Sequence, residues 1–315
     1  MSKKTSIGGQ ALIEGIMMRG PHKTTMAVRL PDKTIETIDF ENKSIKDKIK
    51  ILKLPILRGV VNMIESLIFG YKALMLSAEK SGFTDLEEEP KKKDEKEPSA
   101  FMNVLMVIAT GLGLVLSFFL FMWVPSFLFD LLSSAVKGDI SNLKPLFEGV
   151  IKIAVFVTYI ALVSQMKDIK RVFMYHGAEH KSIFCYEAEE QLTVENIKRH
   201  SRFHPRCGTS FLIVTLIVSI VLSFILTTLF PVLKAPEYRL IWVATKVLII
   251  PVLCGLSYEL IKICGKFDNL FTRIISAPGL WLQRLTVKEP DDDMIEIAIA
   301  ALNAVIPEDD SDRCK

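Results

Sequence analysis

Two stretches of this chain carry no charged residue over the thickness of a lipid bilayer. Phe101–Trp123 runs 23 residues and Gly208–Leu233 runs 26 without an Asp, Glu, Lys or Arg. About 20 apolar residues span a hydrocarbon core, and only a helix or a closed barrel satisfies its backbone there, so both read as transmembrane helices. Phe147–Met166 and Leu240–Leu260 read as two more, interrupted by Lys152 in the first and by Lys246 and Glu259 in the second. Half of the 315 residues are apolar. This is the composition of a membrane protein with soluble portions. The first 50 residues hold no apolar segment of the secretory type, so no signal peptide is expected.

Basic residues set the orientation. The connection between the second and third spans holds Lys167, Lys170, Arg171, Lys181, Lys198, Arg199, Arg202 and Arg206. The other two connections hold only Lys137 with Lys144, and Lys234 with Arg239. The expectation is a multi-pass plasma-membrane protein whose central loop and both termini are cytoplasmic. Lys152, Lys246 and Glu259 fall near the ends of their spans, where snorkelling to the interface accounts for them.

The soluble portions divide by pattern. In residues 1–44 a Gly-rich stretch, Gly8 to Gly20, precedes a hairpin signal, Thr25–Leu30 and Thr34–Phe40 around Pro31-Asp32-Lys33. The glycines imply unusual dihedrals or a close approach. Residues 45–81 look helical and apolar. Arg58 and Glu65, seven apart on one face, either pair or face the headgroups, and their charge points to an interfacial or re-entrant helix rather than a span. Residues 82–100 include the charged linker Glu87–Glu97, which cannot bury a core. A transmembrane hairpin over 101–166, a cytoplasmic loop over 167–208 and a second hairpin over 209–261 follow. In 262–315, Phe267–Leu285 reads as an interfacial amphipathic helix. Asp291-Asp292-Asp293 then opens an apolar helix through Val305, which must dock, and the N-terminal unit is its expected partner. The fold class is thus a mostly α membrane protein: about four transmembrane helices plus interfacial helices, with a small N-terminal β-rich cytoplasmic unit.

Metal-ligand chemistry concentrates in the central loop. His176 and His180 stand i, i+4, so on a helix both imidazoles reach one ion. Glu179 completes the His-x-x-Glu-His order of inverted zinc peptidases, in which the Glu is the general base. His204 and Cys207 stand at the spacing of a metal knuckle, followed by Gly208. Reducing surroundings favour a metal role over a disulfide for Cys207. Four protein ligands, His176, His180, His204 and Cys207, would close a tetrahedral structural zinc. Three would leave a position for water and make Glu179 a base. Glu187, Glu195 and His200 are spare candidates, and Gln10, Glu14 and Arg19 could support the ligands from outside. Against this stands a plainer reading, histidines beside Lys181, Lys198, Arg199 and Arg202 that contact lipid phosphates.

Three motifs in order carry a likeness: Gly8-Gly9-Gln10-Ala11-Leu12-Ile13-Glu14-Gly15-Ile16-Met17-Met18-Arg19-Gly20, Tyr175-His176-Gly177-Ala178-Glu179-His180-Lys181, and His204-Pro205-Arg206-Cys207-Gly208-Thr209. Through them the chain, from about residue 7 to 304, resembles the bacterial YqhQ-like family of multi-pass membrane proteins, described as predicted metal-dependent enzymes. The resemblance implies a metal role for His176, Glu179, His180, His204 and Cys207 and a functional N-terminal loop. His200 lies outside the motifs. The function expected is a metal-dependent membrane hydrolase holding one divalent ion, zinc, and acting at the cytoplasmic face on a membrane protein or a lipid. The alternatives are a scaffold pinned by a structural metal and, behind it, a transporter. The bilayer is the expected partner and nucleic acid is not.

Overall fold

In the computed structural model the described residues are 4–40, 45, 49–83, 100–136, 138, 140–234, 238–267 and 269–313. The charged run Glu87–Glu97 and Cys314 lie outside them. The strands are β1 (Gly8–Leu12), β2 (Gly15–Arg19), β3 (Thr24–Arg29) and β4 (Ile35–Phe40). The helices are α1 (Leu57–Lys80), α2 (Ala100–Phe118), α3 (Val124–Ala135), α4 (Lys144–Val163), α5 (Lys167–Glu187), α6 (Val194–Arg199), α7 (Gly208–Leu229), α8 (Arg239–Lys266), α9 (Leu270–Thr286) and α10 (Asp292–Asn303). They form two compact units, one from residues 1–89, 160–214 and 251–315, the other from 90–159 and 215–250.

The first unit is built on an antiparallel meander in the order β1-β2-β3-β4. The β3–β4 hairpin is the one the alternation predicts, closed by a Leu30 N–H to Thr34 carbonyl bond of 2.9 Å. The Gly-rich stretch forms a second hairpin, β1–β2. Its left-handed residue is Glu14 (φ 50°) rather than a glycine. Close approach accounts for the glycines beside it, since a Cβ on Gly15 would sit 2.7 Å from the Ala27 carbonyl oxygen. β2 and β3 are buried on both faces, which is why they read as apolar runs. Successive side chains point to opposite faces. Ile16, Met18 and Ala27 pack with Tyr175 and Ala178 of α5 and with Met294, Ile295 and Ala298 of α10. Leu12, Met17, Met26 and Val28 pack with Ala73 of α1. The expected docking of α10 on the N-terminal unit is therefore found.

Two expectations need correcting here. The segment 167–208 is largely helical rather than loop: α5 covers 21 residues and buries Tyr175 and residues 177–183. Its polar composition hides this, because its buried polar groups have partners on other elements. Arg58 does not pair with Glu65. Residues seven apart on a helix are separated by about 10 Å of rise. A partner stands closer on α8: Arg58 grips Glu259 at 2.7 Å (Nε) and 2.5 Å (Nη2). Gly59 and Gly255 let the helices approach, with a Cβ on Gly59 only 3.0 Å from the Gly255 Cα. Glu65 accepts the Ile45 N–H at 2.9 Å instead.

Among the described residues five helices are long and apolar enough to cross a membrane: Leu57–Lys80, Ile108–Ala135, Ser141–Val163, Gly208–Leu229 and Ile241–Gly265. Four of these overlap the expected spans, and the fifth is α1. The chain is a multi-pass membrane protein. In the second unit, a π-helical turn at Phe119–Trp123 joins α2 to α3. Lys152 and Lys246 do not stand alone there. Both flank Glu148, at 3.8 and 3.9 Å, and Ser126 Oγ donates to the same carboxylate at 2.8 Å.

Candidate metal centre

Tyr175, Ala178 and Ile183 face the core and so fix the rotation of α5. That rotation brings His176 and His180 together, one turn apart, with ring centroids at 4.4 Å. Cys207, just before α7, joins them. The ligand atoms of His176, His180 and Cys207 all lie within 4.8 Å of one another, and His176 Nε2 is 3.1 Å from the sulfur. A tetrahedral zinc with bonds of about 2.0–2.1 Å to nitrogen and 2.3 Å to sulfur needs these atoms about 3.5 Å apart. The donor set fits.

Proton placement supports the fit. His176 Nδ1 meets the Thr286 carbonyl at 3.1 Å, and His180 Nδ1 meets the Arg202 carbonyl at 2.6 Å. A carbonyl only accepts, so both Nδ1 atoms carry the proton and both Nε2 atoms keep a lone pair. The sulfur also accepts the Thr209 N–H at 3.4 Å and lies 3.1 Å from Thr209 Oγ1, at the positive end of α7.

Glu179 is buried beside them. Its Oε1 accepts the Gly9 N–H at 3.0 Å, the link from the Gly-rich motif to the centre. Gly9 is required by contact: a Cβ there would lie 2.9 Å from Glu179 Cγ. Burial pushes the Glu179 carboxyl up, against the opposing pull of His176 and the Gly9 N–H. Glu14 reaches α5 by another route, accepting two bonds from Arg171 and one from the Tyr175 hydroxyl at 3.0 Å. Gln10 and Arg19 turn toward α1. The Gln10 amide packs on Gly70, and Arg19 lies 5.8 Å above the Phe69 ring.

His204 is the ligand candidate that the geometry leaves out. Its Nδ1 accepts the Arg206 N–H at 3.3 Å, and its Nε2 faces Glu187 at 4.0 Å. Burial pushes its pKa down to about 4, so the ring is neutral. Burial opposes ionisation of Glu187, but His204, Arg206 and the Thr5 N–H outweigh it and hold that carboxyl low. Cys185, Glu190 and His200 form a second close group. The Cys185 sulfur points at the Gln191 carbonyl, 3.6 Å away, as a thiol donor does. Glu195 lies in the first turn of α6, outside both groups.

Residues 54–308 match the family described as "Protein of unknown function (DUF1385)". The chain belongs to this family. A relative from Bacillus subtilis (strain 168), "Uncharacterized protein YqhQ", is 35% identical over 301 residues, which cover 95% of this chain and 92% of that protein. No solved structure matches the chain.

In this DUF1385 member, the helix expected over Phe267–Leu285 is present as α9, and what sequence reasoning missed is that it supports the centre from behind. Gln283 of α9 is fully buried, accepts the His204 N–H at 2.8 Å and donates to the His204 carbonyl at 2.7 Å and Ser210 Oγ at 3.1 Å. Three residues on, Thr286 supplies the carbonyl that orients His176. The same helix exposes Leu270, Phe271, Ile274 and Trp281, as an interfacial helix does. The available signal was the small and polar stripe Thr272, Ser276, Gly279, Gln283 and Thr286 at helical spacing, which is the buried face. Gly177 was missed too: a Cβ there would stand 2.0 Å from the Lys288 carbonyl oxygen, so only glycine lets that segment lie on α5.

Proposed function

We propose that this protein is a metal-dependent membrane enzyme, a hydrolase working at the cytoplasmic face on a membrane protein or a lipid. The observation that carries the reading is the pair of Nδ1–carbonyl bonds, which leaves both Nε2 atoms free toward Cys207 while His204 is held elsewhere. Three protein ligands are the set of an open, catalytic site rather than a closed structural one. A zinc-class ion held there would supply Lewis acidity at neutral pH. Glu179 would accept the proton of the attacking water, its carboxyl oriented by Gly9 and raised by burial toward a useful basicity. The Thr286 and Arg202 carbonyls would keep His176 and His180 oriented with Nε2 toward the ion.

Placement supports the substrate class. Cys207 immediately precedes the candidate span Gly208–Leu229, so the centre would lie at headgroup depth. The shared core of β1–β4, α5 and α10 favours an even number of crossings between these segments. Within it α1 is best read as a re-entrant helix: its start lies beside Gly255 within α8, and Ala73 near its end packs under the sheet.

The test is metal analysis of the purified chain with two variants. About one zinc-class ion per chain is expected in the wild type. Glu179→Gln keeps the ion and loses cellular function, whereas Cys207→Ser loses the ion. Full complementation by Glu179→Gln would favour the scaffold reading, and no ion in a zinc-reconstituted sample would end both. Impermeant thiol labelling of Cys207 from outside intact cells would reverse the topology.

A further inference from the structure

Among the residues with binding chemistry outside the metal centre are Glu187, His200 and His204. All three line one cavity of about 250 Å³, together with Lys4, Arg206 and Gly265. We propose that this cavity binds a phosphate group through Lys4, Arg206, His200 and His204.

Charge comes first. Two fixed cations, Lys4 and Arg206, face one fixed anion, Glu187, so the lining carries net positive charge before either imidazole is counted. The carboxylate is already engaged: Glu187 Oε1 accepts from Arg206 Nη2 and from the Thr5 N–H at 2.9 Å. Lys4 gives one of an ammonium's three donors to the Gly265 carbonyl at 3.0 Å. His204 is 5% exposed. Its Nδ1 accepts from a backbone N–H, so the proton sits on Nε2, on the Glu187 side. Arg206 Nη1 also meets the Thr5 carbonyl and His200 Nε2 stands 3.3 Å from Glu190, so a phosphate would share these N–H groups with their present partners. The groups converge from different directions, the demand of a tetrahedral oxyanion rather than a metal ion.

Size and place narrow the ligand. The volume is below the roughly 300–1,000 Å³ that encloses a drug-sized molecule, so the cavity suits a phosphate group and not a whole amphiphile. Gly265 closes the candidate span Ile241–Gly265, and Arg206 stands two residues before the span Gly208–Leu229. A lipid phosphate would reach the cavity with its chains left outside. A free phosphate monoester carries the same chemistry, and the experiment separates the two. This inference does not need the ion at His176, His180 and Cys207.

Titrate the detergent-purified full chain with short-chain phosphatidic acid, with diacylglycerol of the same chains and with inorganic phosphate. Phosphatidic acid should bind and diacylglycerol should not. Lys4→Ala and His200→Ala should each weaken binding about ten-fold, the size of one charge-assisted contact. Glu187→Gln, which removes the one fixed negative charge among the described lining residues, should tighten it. Inorganic phosphate competing at equal concentration would identify a free phosphate compound as the source, and failure to compete would identify the lipid. Diacylglycerol binding as well as phosphatidic acid, or wild-type affinity in both Lys4→Ala and His200→Ala, overturns the proposal. Metal per chain, measured alongside, reports on the other site: a wild type without metal would sink the enzyme reading and leave this titration standing.

Discussion

Both units bury charge, but they hold it differently. In the unit built on the sheet, each buried ionic group of the central segment meets a partner at hydrogen-bond distance from another element. Glu179 has the Gly9 N–H at 3.0 Å, and Lys181 has the Lys198 carbonyl at 2.9 Å together with Glu289. In the membrane unit, Glu148 has Ser126 at 2.8 Å, but its lysines stand off at 3.8 and 3.9 Å. The first arrangement fixes atoms in place. The second neutralises charge between helices and leaves position loose. Chemistry needs the first kind, because reacting groups must be held to fractions of an ångström.

The sharpest way to break this comparison uses glycine. Gly177→Ala puts a methyl group 2.0 Å from the Lys288 carbonyl oxygen, on backbone that is bonded to α5 through Lys288 N–H and Phe173. The expected cost is about 3 kcal/mol or more, seen as loss of folded protein at normal expression. Gly113→Ala in α2 meets nothing within 4 Å and should leave the protein level unchanged. Equal effects from the two would mean that the sheet unit is no more tightly specified than the membrane unit.

Next in size is Glu148→Gln. It strands two lysines in apolar surroundings, and removing one partner of a buried pair costs about 3–5 kcal/mol. Thermal unfolding should shift while metal per chain in the protein that remains stays at the wild-type value. A metal loss matching that of Cys207→Ser would show that the units are not separable in function.

Gln283→Leu should act in the opposite sense. It leaves the buried His204 N–H and carbonyl without a partner, at about 1–3 kcal/mol for each group. The knuckle that carries Cys207 then loosens. Cobalt-substituted protein should show weaker metal affinity and a changed visible absorption band, with α9 still folded. Unchanged cobalt spectra would reduce Gln283 to packing.

Gln283 also shows what a sequence displays and what it hides. The His176–His180 pair was legible because helical spacing alone puts both rings on one face. Cys207 was legible through its knuckle spacing to His204 and the Gly208 that follows it. His204 falls outside the close group, since a spacing of three to Cys207 says nothing about which ring nitrogen a backbone N–H will occupy. Thr286 and Arg202 orient the two histidines through carbonyl oxygens, and every residue has one, so no pattern marks them. The fold divides the same way. The β3–β4 hairpin and the docking of α10 follow from alternation and an unpartnered apolar face. The β1–β2 hairpin was obscured by glycines that serve close packing, and α5 by buried polar groups whose partners come from distant segments.

The smallest effect concerns the two cysteines of the sheet unit's central segment. Burial, helped by Glu190, pushes the Cys185 thiol up to about 11, well above the ordinary range of a cysteine. A raised pKa on an acid means that the neutral form is favoured, so at pH 8 the thiolate of Cys185 should be about 100-fold scarcer than that of an ordinary cysteine. Since thiolate is the nucleophile, alkylation of Cys185 in folded protein should stay negligible at pH 8 and rise only as pH approaches 11. Cys207 should behave otherwise: closed to alkylation while an ion is bound, then modified once a chelator has removed it. Mass spectrometry of the two peptides, with and without chelator, reads both sites in one sample. Fast modification of Cys185 alone would contradict its buried, protonated state, and indifference of Cys207 to chelator would remove it from the ligand set.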